Sequence, residues 1–534
     1  MGKLMLLGDE AIARGALDAG MSGIYAYPGT PSTEITEYVQ SLGLKDRVHS
    51  EWSANEKTAM ESALGMSYAG KRSMVCMKHV GLNVAADPFM NSAITGVNGG
   101  MVIAVADDPS MHSSQNEQDS RYFGKFAMIP VLEPSNQQEA YDMTYEAFDL
   151  SERYSIPVMI RITTRLAHSR SGVERRDIKP QNKLKTPENP TQFILLPGMA
   201  RKSYKKLVEI QPDLERESAD SPFNSLEGGE DTSLGIIVAG LAYNYLLESF
   251  EEFKVPHPVL KISQYPLPVK LIADLYSRSD EILVIEEGYP LIEESLNGVL
   301  GREKKIHGRL DGTLPRVGEL NPDIVRQAFG AAGYEGLKVP GLVRDRPPAL
   351  CKGCSHSDVY YALNQAMAAY GNGRVFSDIG CYTLGALPPY NAIDTCVDMG
   401  ASITMAKGAA DAGLIPSVCV IGDSTFIHSG MTGLLDAVRE NSPITVIISD
   451  NSTTAMTGGQ ESHAEGRLES ICIGLGVPAD HIRMLNPLKK HQADNVRILE
   501  EEVAHKGISV VIAERDCVHR LRKKRQQKKS NSNT

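Results

Sequence analysis

Short apolar, β-branched runs alternate with Gly- and Ala-rich stretches of helical composition along most of this chain, and that alternation constrains the fold more than any other feature. GIYAYPG (23–29), SMVCMKH (73–79), MVIAVADD (101–108) and PVMIRITT (157–164) read as buried strands, and KTAMESALGMSYAG (57–70) as a helix between two of them. Strands joined through helices pair in parallel, so the pattern predicts an α/β fold of doubly wound parallel sheets. The same rhythm returns twice. LGIIVAG (234–240), PVLKIS (258–263) and EILVIEEG (281–288) mark a second, smaller unit; RVFSDIG (374–380), SVCVIGD (417–423) and ITVIISDN (444–451) mark a third.

A chain of 534 residues, 42% hydrophobic and 23% charged, is too long for one core and suits about three domains. The expected division is 1–190, a linker and surface loop over 191–233 where the pattern dissolves, 234–340, 341–519, and a basic disordered tail at 520–534. The net charge of -11 argues against nucleic-acid binding by the body of the protein. The tail, RLRKKRQQKK (520–529), is the exception, and reads as a solvated charge run or a dock for an acidic electron carrier or partner subunit. No cationic, apolar leader and no run of about 18 apolar residues is present, so the expectation is a cytoplasmic protein outside the membrane. Eight cysteines are too few and too uneven for a secreted disulfide framework, which points to a reducing compartment with thiols or metal ligands.

In doubly wound sheets, ligands gather at the carboxyl ends of strands, where helix N-termini offer unpaired N–H groups to phosphate. IGDST ends one such strand, and Asn451 ends the next. Asn451 lies 28 positions beyond Asp423, room for one crossover helix and a parallel return. A carboxylate, an amide oxygen, the Thr453 backbone carbonyl and diphosphate oxygens make the hard oxygen set that magnesium prefers. Taken singly, Asp423 also reads as a helix cap and Asn451 as a turn residue.

CKGCSH (351–356) by itself is compatible with zinc, a redox pair, half an iron–sulfur site or two unrelated thiols. A zinc ribbon would need a second CxxC, and the sequence holds none. Cys381 in DIGCYTLG and Cys517 in AERDCVHR follow strands of the same unit, and four thiolates from such positions suit a 4Fe-4S cluster. Cys76, Cys396, Cys419 and Cys472 read as small buried hydrophobes.

GDST followed by DNSTTAMTG resembles the thiamine-diphosphate signature. That resemblance implies that Gly422, Asp423, Ser424 and Thr425 meet the diphosphate, and that Asp423, Asn451 and Thr453 hold magnesium. It also implies a Glu in a separate pyrimidine domain, set against the aminopyrimidine ring. Glu56 in HSEWSANEKTAMES fits that place ahead of Glu51 and Glu61, although a first-turn acid is also favoured by the helix dipole alone.

CxGCxH, DIGC and a late lone Cys are similar to the cluster ligands of 2-oxoacid:ferredoxin oxidoreductases, which implies Cys351, Cys354, Cys381 and Cys517 as ligands. Together with YPGTPSTE, EWSANEK, MKHVGLNVAADP and DNSTTAMTGGQ, these motifs resemble the indolepyruvate ferredoxin oxidoreductase large (alpha) subunit over nearly the whole chain. The resemblance implies a pyrimidine domain at 1–190, a transketolase C-terminal-like domain at 234–340 and a diphosphate domain at 341–519. The active site is then expected between the first and last, in a dimer of heterodimers with a smaller beta subunit. The implied activity is oxidative decarboxylation of an aryl pyruvate, with coenzyme A taking the acyl group and electrons leaving through one 4Fe-4S cluster to ferredoxin or a similar carrier. The family commonly continues into a bacterial-ferredoxin domain, whereas this sequence finishes in the basic tail, which leaves its acceptor open.

Thr30 and Arg121 are the expected holders of the substrate carboxylate, the latter because a planar guanidinium matches it bidentately. His79 and His356 are further candidates for contact with cofactor or diphosphate. The competing functions are a non-oxidative thiamine-dependent decarboxylase or carboligase, a non-catalytic scaffold, and a CxxC-and-basic-tail nucleic-acid binder, the last opposed by the acidic body.

Overall fold

The computed structural model describes residues 3–298, 304–333, 339–344 and 348–531, without the side chains of 527–531. The chain divides into two compact units, 1–338 and 339–534.

The first unit is built on a seven-stranded sheet. In spatial order its strands are Gln264–Tyr265, Val131–Leu132, Val158–Thr163, Met101–Asp107, Ser73–Lys78, Gly23–Ala26 and His49–Trp52. All pairs are parallel except the first, which is antiparallel. Alternate residues bury opposite faces: Met74, Cys76, Val102 and Ala104 join one core, and Val75, Met77, Ile103 and Val105 the other. A sheet apolar on both faces must be covered by helices on both, which explains the near-continuous apolar runs in the sequence.

A five-stranded sheet, in the order Ile306–His307, Glu281–Ile285, Leu234–Ala239, Val259–Ile262 and Ser225–Glu227, completes this unit. The 264–265 strand, which directly follows Val259–Ile262 in sequence, joins the edge of the larger sheet, so the two sheets share a strand-level junction.

Two expectations are corrected here. The stretch 191–233 is not a plain linker. It carries helices Pro197–Glu209 and Gln211–Ala219, whose Leu207 and Leu214 enter the core, and its Ser225–Glu227 strand pairs antiparallel with Val259–Ile262. The expected disordered tail is helical over Val518–Asn531, anchored by Arg520 to Glu465 and Asp516 and by Lys524 to Asp516; residues 532–534 lie outside the described residues.

The second unit holds a wholly parallel five-stranded sheet, in the order Val375–Ser377, Ser417–Gly422, Ile444–Asp450, Ser509–Glu514, Ile482–Leu485. Cys419, Ile421, Val446 and Ile448 bury one face, Val418, Val420 and Ile447 the other. Among the described residues, no helix is long and apolar enough to cross a membrane.

Candidate active site

Four neighbouring strands of the second unit end at the residues that carry chemistry. Cys381 follows Ser377, Asp423 follows Gly422, Asn451 follows Asp450 and Cys517 follows Glu514. Parallel pairing in register, Gly422 opposite Ser449 and Asp450 opposite Glu514, brings these strand ends to one edge of the sheet.

Asp423 opens a helical run that continues through a π-helical turn at Phe426–Gly430 into Met431–Arg439. Such π turns recur at functional sites because they re-aim side chains within a helix. Burial pushes the Asp423 carboxyl up to about 7, against hydrogen bonds from Ser462 and the backbone of Ser424 and Asn451. Its Oδ2 is buried without a hydrogen-bond partner. A dry carboxylate oxygen without a donor is costly unless a cation meets it. That oxygen fits the magnesium expected there.

The Asn451 amide is oriented by its neighbours. Its Oδ1 accepts from the Thr453 N–H at 3.1 Å, and its Nδ2 donates to His356 Nε2 at 3.3 Å. His356 must therefore keep Nε2 unprotonated. Burial and the Arg515 charge push it down to about 4, so it is neutral, and its Nδ1 is buried without a partner.

A Cβ at Gly422 would lie 2.6 Å from the Tyr382 ring, so packing alone requires glycine there. The Thr425 hydroxyl donates to the Ile379 carbonyl at 3.1 Å and has no proton left for phosphate. Ser424 Oγ accepts from Thr454 Oγ1 at 3.0 Å and keeps its own proton.

The CKGC segment closes as a turn, with the Cys354 N–H donating to the Cys351 carbonyl at 2.9 Å. Gly353 sits at φ +81°, the left-handed conformation that this turn position demands. Burial pushes the Cys381 thiol up to about 12, and Cys354, Cys517 and Cys351 push the same way, so the four thiols share one field. The Cys381 thiol, so placed, stays protonated until a metal centre supplies positive charge. Among the described residues, no three of these sulfurs lie within 4.8 Å of one another. Cys76, Cys419 and Cys472 are buried as expected, but Cys396 is exposed, a correction to its reading as a core residue.

Two residues of this edge were not anticipated. Arg515 donates to Asp358 at 2.7 Å and to the Gly353 carbonyl at 3.0 Å, clamping the CxxC turn to the loop that carries Cys517. Asp378 is pushed up to about 7 by burial and accepts from Ser402 Oγ at 2.6 Å and from Tyr382. The only local signal for Arg515 is its position two residues before Cys517.

The first unit carries the remaining candidates. Asn55 caps the helix Glu56–Tyr68 by accepting from the Thr58 N–H at 2.8 Å, leaving Glu56 as the first helical residue, buried. The Glu56 carboxylate lies against Gly81, where a Cβ would stand 2.5 Å from its Oε1. His79 is buried, with Nε2 3.1 Å from the Asn116 carbonyl and Nδ1 unpartnered. Thr30 is half-buried in the loop after Gly23–Ala26, its carbonyl accepting from Ser113 Oγ at 3.4 Å.

Arg121 is a correction. Its guanidinium is buried and saturated: Asp119 and Glu286 at 2.5 and 2.9 Å, the Tyr265 hydroxyl at 3.1 Å, and the Tyr289 carbonyl at 2.9 Å. Arg161 lies beside it, paired with Asp107 at 2.7 Å and with Glu133. Arg121 touches one wall of a mainly apolar cavity of about 650 Å³, but no donor remains for a substrate carboxylate.

Comparison with known proteins agrees with this division. The family model "Pyruvate flavodoxin/ferredoxin oxidoreductase, thiamine diP-bdg" matches residues 14–208, and "Thiamine pyrophosphate enzyme, C-terminal TPP binding domain" matches 378–512. Indolepyruvate oxidoreductase subunit IorA of Methanothermobacter thermautotrophicus is 42% identical over 86% of this chain and 76% of its own length. The same subunit of Archaeoglobus fulgidus is 41% identical over 91% and 82%. The chain belongs to the IorA family of indolepyruvate oxidoreductase subunits. As an IorA-type chain it is a thiamine-diphosphate-dependent 2-oxoacid:ferredoxin oxidoreductase. The fold is also that of the 2-oxoglutarate:ferredoxin oxidoreductase from Magnetococcus marinus, solved with 2-oxoglutarate, coenzyme A and succinyl-CoA bound. That likeness has a TM-score of 0.50 at 16% identity and covers 61% of the IorA-family chain and 65% of the solved one.

Proposed function

We propose that this IorA-family chain oxidatively decarboxylates aryl pyruvates such as indolepyruvate to aryl-acetyl-CoA, with a smaller beta subunit and ferredoxin or a similar low-potential carrier as partners. The observation that carries this reading is the shared sheet edge, where a dry carboxylate at Asp423 stands two strands from Cys517 and one from the Cys381 loop. Thiamine diphosphate, when bound, would supply a nucleophilic carbanion and an electron sink for decarboxylation of the 2-oxoacid.

The chain's own groups do the rest. Glu56 holds the proton that activates the aminopyrimidine. Asp423, Asn451 and the Thr453 carbonyl hold magnesium on the diphosphate, and Ser424 donates to a phosphate oxygen. His356, neutral and fixed by Asn451, keeps an Nδ1 proton for an acceptor at the same edge. Thr30 positions the substrate carboxylate. Cys351, Cys354, Cys381 and Cys517 would hold a 4Fe-4S cluster, which would supply one-electron transfer toward the carrier, and coenzyme A would take the acyl group. A dimer of heterodimers in the cytoplasm is the assembly this reading entails.

Coenzyme-A-dependent dye reduction by anaerobically purified holoenzyme tests it across aryl, branched and short 2-oxoacids. The expected result is highest kcat/KM for aryl pyruvates, with activity abolished and iron retained in Glu56→Gln, and iron lost in Cys381→Ser. Decarboxylation without dye reduction, in protein free of iron, would establish the non-oxidative alternative instead.

A further inference from the structure

Away from the residues discussed so far, three helices of the first unit bring Asp9, Glu34 and His168 together. One ligand atom from each lies within 4.8 Å of the other two, and His168 Nε2 stands 3.6 Å from Glu34 Oε2. Asp9 belongs to the first turn of Gly8–Asp18, Glu34 to the first turn of Thr33–Ser41, and His168 ends Thr164–His168.

Asp9 is fully buried, and neither of its carboxylate oxygens accepts a hydrogen bond; Glu34 Oε2 is buried without a hydrogen bond and has the His168 ring 3.6 Å away. A helix N-terminus accounts for an acid in a first turn when its oxygens accept the terminal N–H groups. At Asp9 that bond is missing. Burial, and then the acidic Glu34 and Glu10, push the Asp9 carboxyl well above the usual carboxylate range in the metal-free fold. A fully buried carboxyl with neither oxygen hydrogen-bonded, set within 4.8 Å of a second carboxylate and an imidazole, is an arrangement that a cation can satisfy by displacing its proton.

We propose that Asp9, Glu34 and His168 form a second metal site, one that takes a divalent first-row transition cation. Two carboxylates and one imidazole form a mixed oxygen–nitrogen set, which suits manganese, iron(II) or zinc over the all-oxygen coordination of magnesium and calcium. The neighbouring Cys76 thiol is fully buried, and burial and Asp9 both hold it protonated, so it adds no thiolate. The Glu34 and His168 side chains are about one-third exposed. Water can therefore complete the coordination shell from that side. The site is independent of the thiamine reading, because it uses none of the same residues.

Manganese(II) is the probe, since protonated thiols do not compete for it and its electron paramagnetic resonance signal separates bound from free ion. The full chain, with no thiamine diphosphate present, is expected to hold one ion in wild type and in Asp423→Ala. Affinity should fall at least about tenfold in Asp9→Asn and in His168→Gln, the size of loss that follows removal of a group supporting a metal site. Added manganese should raise the unfolding temperature of wild type and leave Asp9→Asn unmoved. In chelator, Asp9→Asn should unfold near the wild-type temperature, because the amide is nearly isosteric with the acid it replaces. Manganese binding that survives Asp9→Asn, that disappears in Asp423→Ala, or that is absent from wild type would overturn the site.

Discussion

The carbonyl oxygen of Asn451 accepts a hydrogen bond of 3.1 Å from the backbone N–H of Cys517. The preceding rung, the Arg515 N–H to the Asp450 carbonyl at 3.0 Å, extends the same strand pairing. One residue thus offers its side chain to the proposed magnesium and its main chain to the proposed cluster. The two centres are tied through this main-chain hydrogen bond, and side-chain substitution can separate them.

Asn451→Ala keeps that main-chain bond and deletes the amide oxygen. Thiamine diphosphate affinity in the presence of magnesium should fall at least about tenfold, by analogy with the loss from removing groups around a metal, while iron content stays at the wild-type value. Titration of cofactor binding, with iron measured on the same sample, checks both halves.

Gly81→Ala probes Glu56 without touching it. The new methyl would meet Glu56 Oε1 at 2.5 Å and Cγ at 2.7 Å, and a flexible side chain gives way more readily than the backbone. Alanine is also the better helix former by about 1 kcal/mol, so stability should hold. Displacing a reacting group by about 1 Å costs on the order of a hundredfold. The expected outcome is an unchanged unfolding temperature with kcat down about a hundredfold.

The strand ends were legible because each apolar run stops at a polar residue of distinct type: Asp423, Asn451 and, two residues past Glu514, the first turn toward Cys517. Parallel pairing then makes neighbours of residues far apart in sequence. The Arg515 clamp was not legible, since its bond to Gly353 spans 162 positions and an arginine near a strand end is unremarkable. Nor was the burial of Arg121, whose counter-ions come from three separate segments. The helices of 197–219 were hidden because they bury little besides Leu207, Leu214 and Ser218, too few apolar positions to set a period. The tail reads as disordered from its charge, yet Lys, Arg and Gln are good helix formers, and Glu465 and Asp516 supply the counter-charge.

Arg121→Ala should behave as a folding mutation. It leaves Asp119 and Glu286 buried without their cation, and breaking a buried pair this way costs about 3–5 kcal/mol. Trp52, the single tryptophan, lies in the same unit, so its fluorescence reports the loss directly. The KM for 2-oxoacid in the remaining folded enzyme should stay near wild type. A raised KM with unchanged stability would restore Arg121 as a substrate ligand.

The same buried network predicts a pH dependence. Burial pushes Glu286 and Glu287 up to about 7, with Arg121 and Arg309 respectively pulling back. An unfolded Glu releases its proton near its ordinary value of about 4.3. Between about 4.3 and 7 the folded chain therefore holds more protons than the unfolded one, and stability must fall as pH rises through that window. The limiting slope is about 1.4 kcal/mol per pH unit for each such group. Urea unfolding followed by Trp52 fluorescence at about pH 5, 6 and 7 should show the midpoint dropping steadily. Glu286→Gln keeps an acceptor for the Ile292 and Glu293 N–H groups, each 3.0 Å from the carboxylate. That variant should be flatter with pH than wild type, and an identical slope in the two proteins would show that Glu286 is ionised in the fold throughout the window.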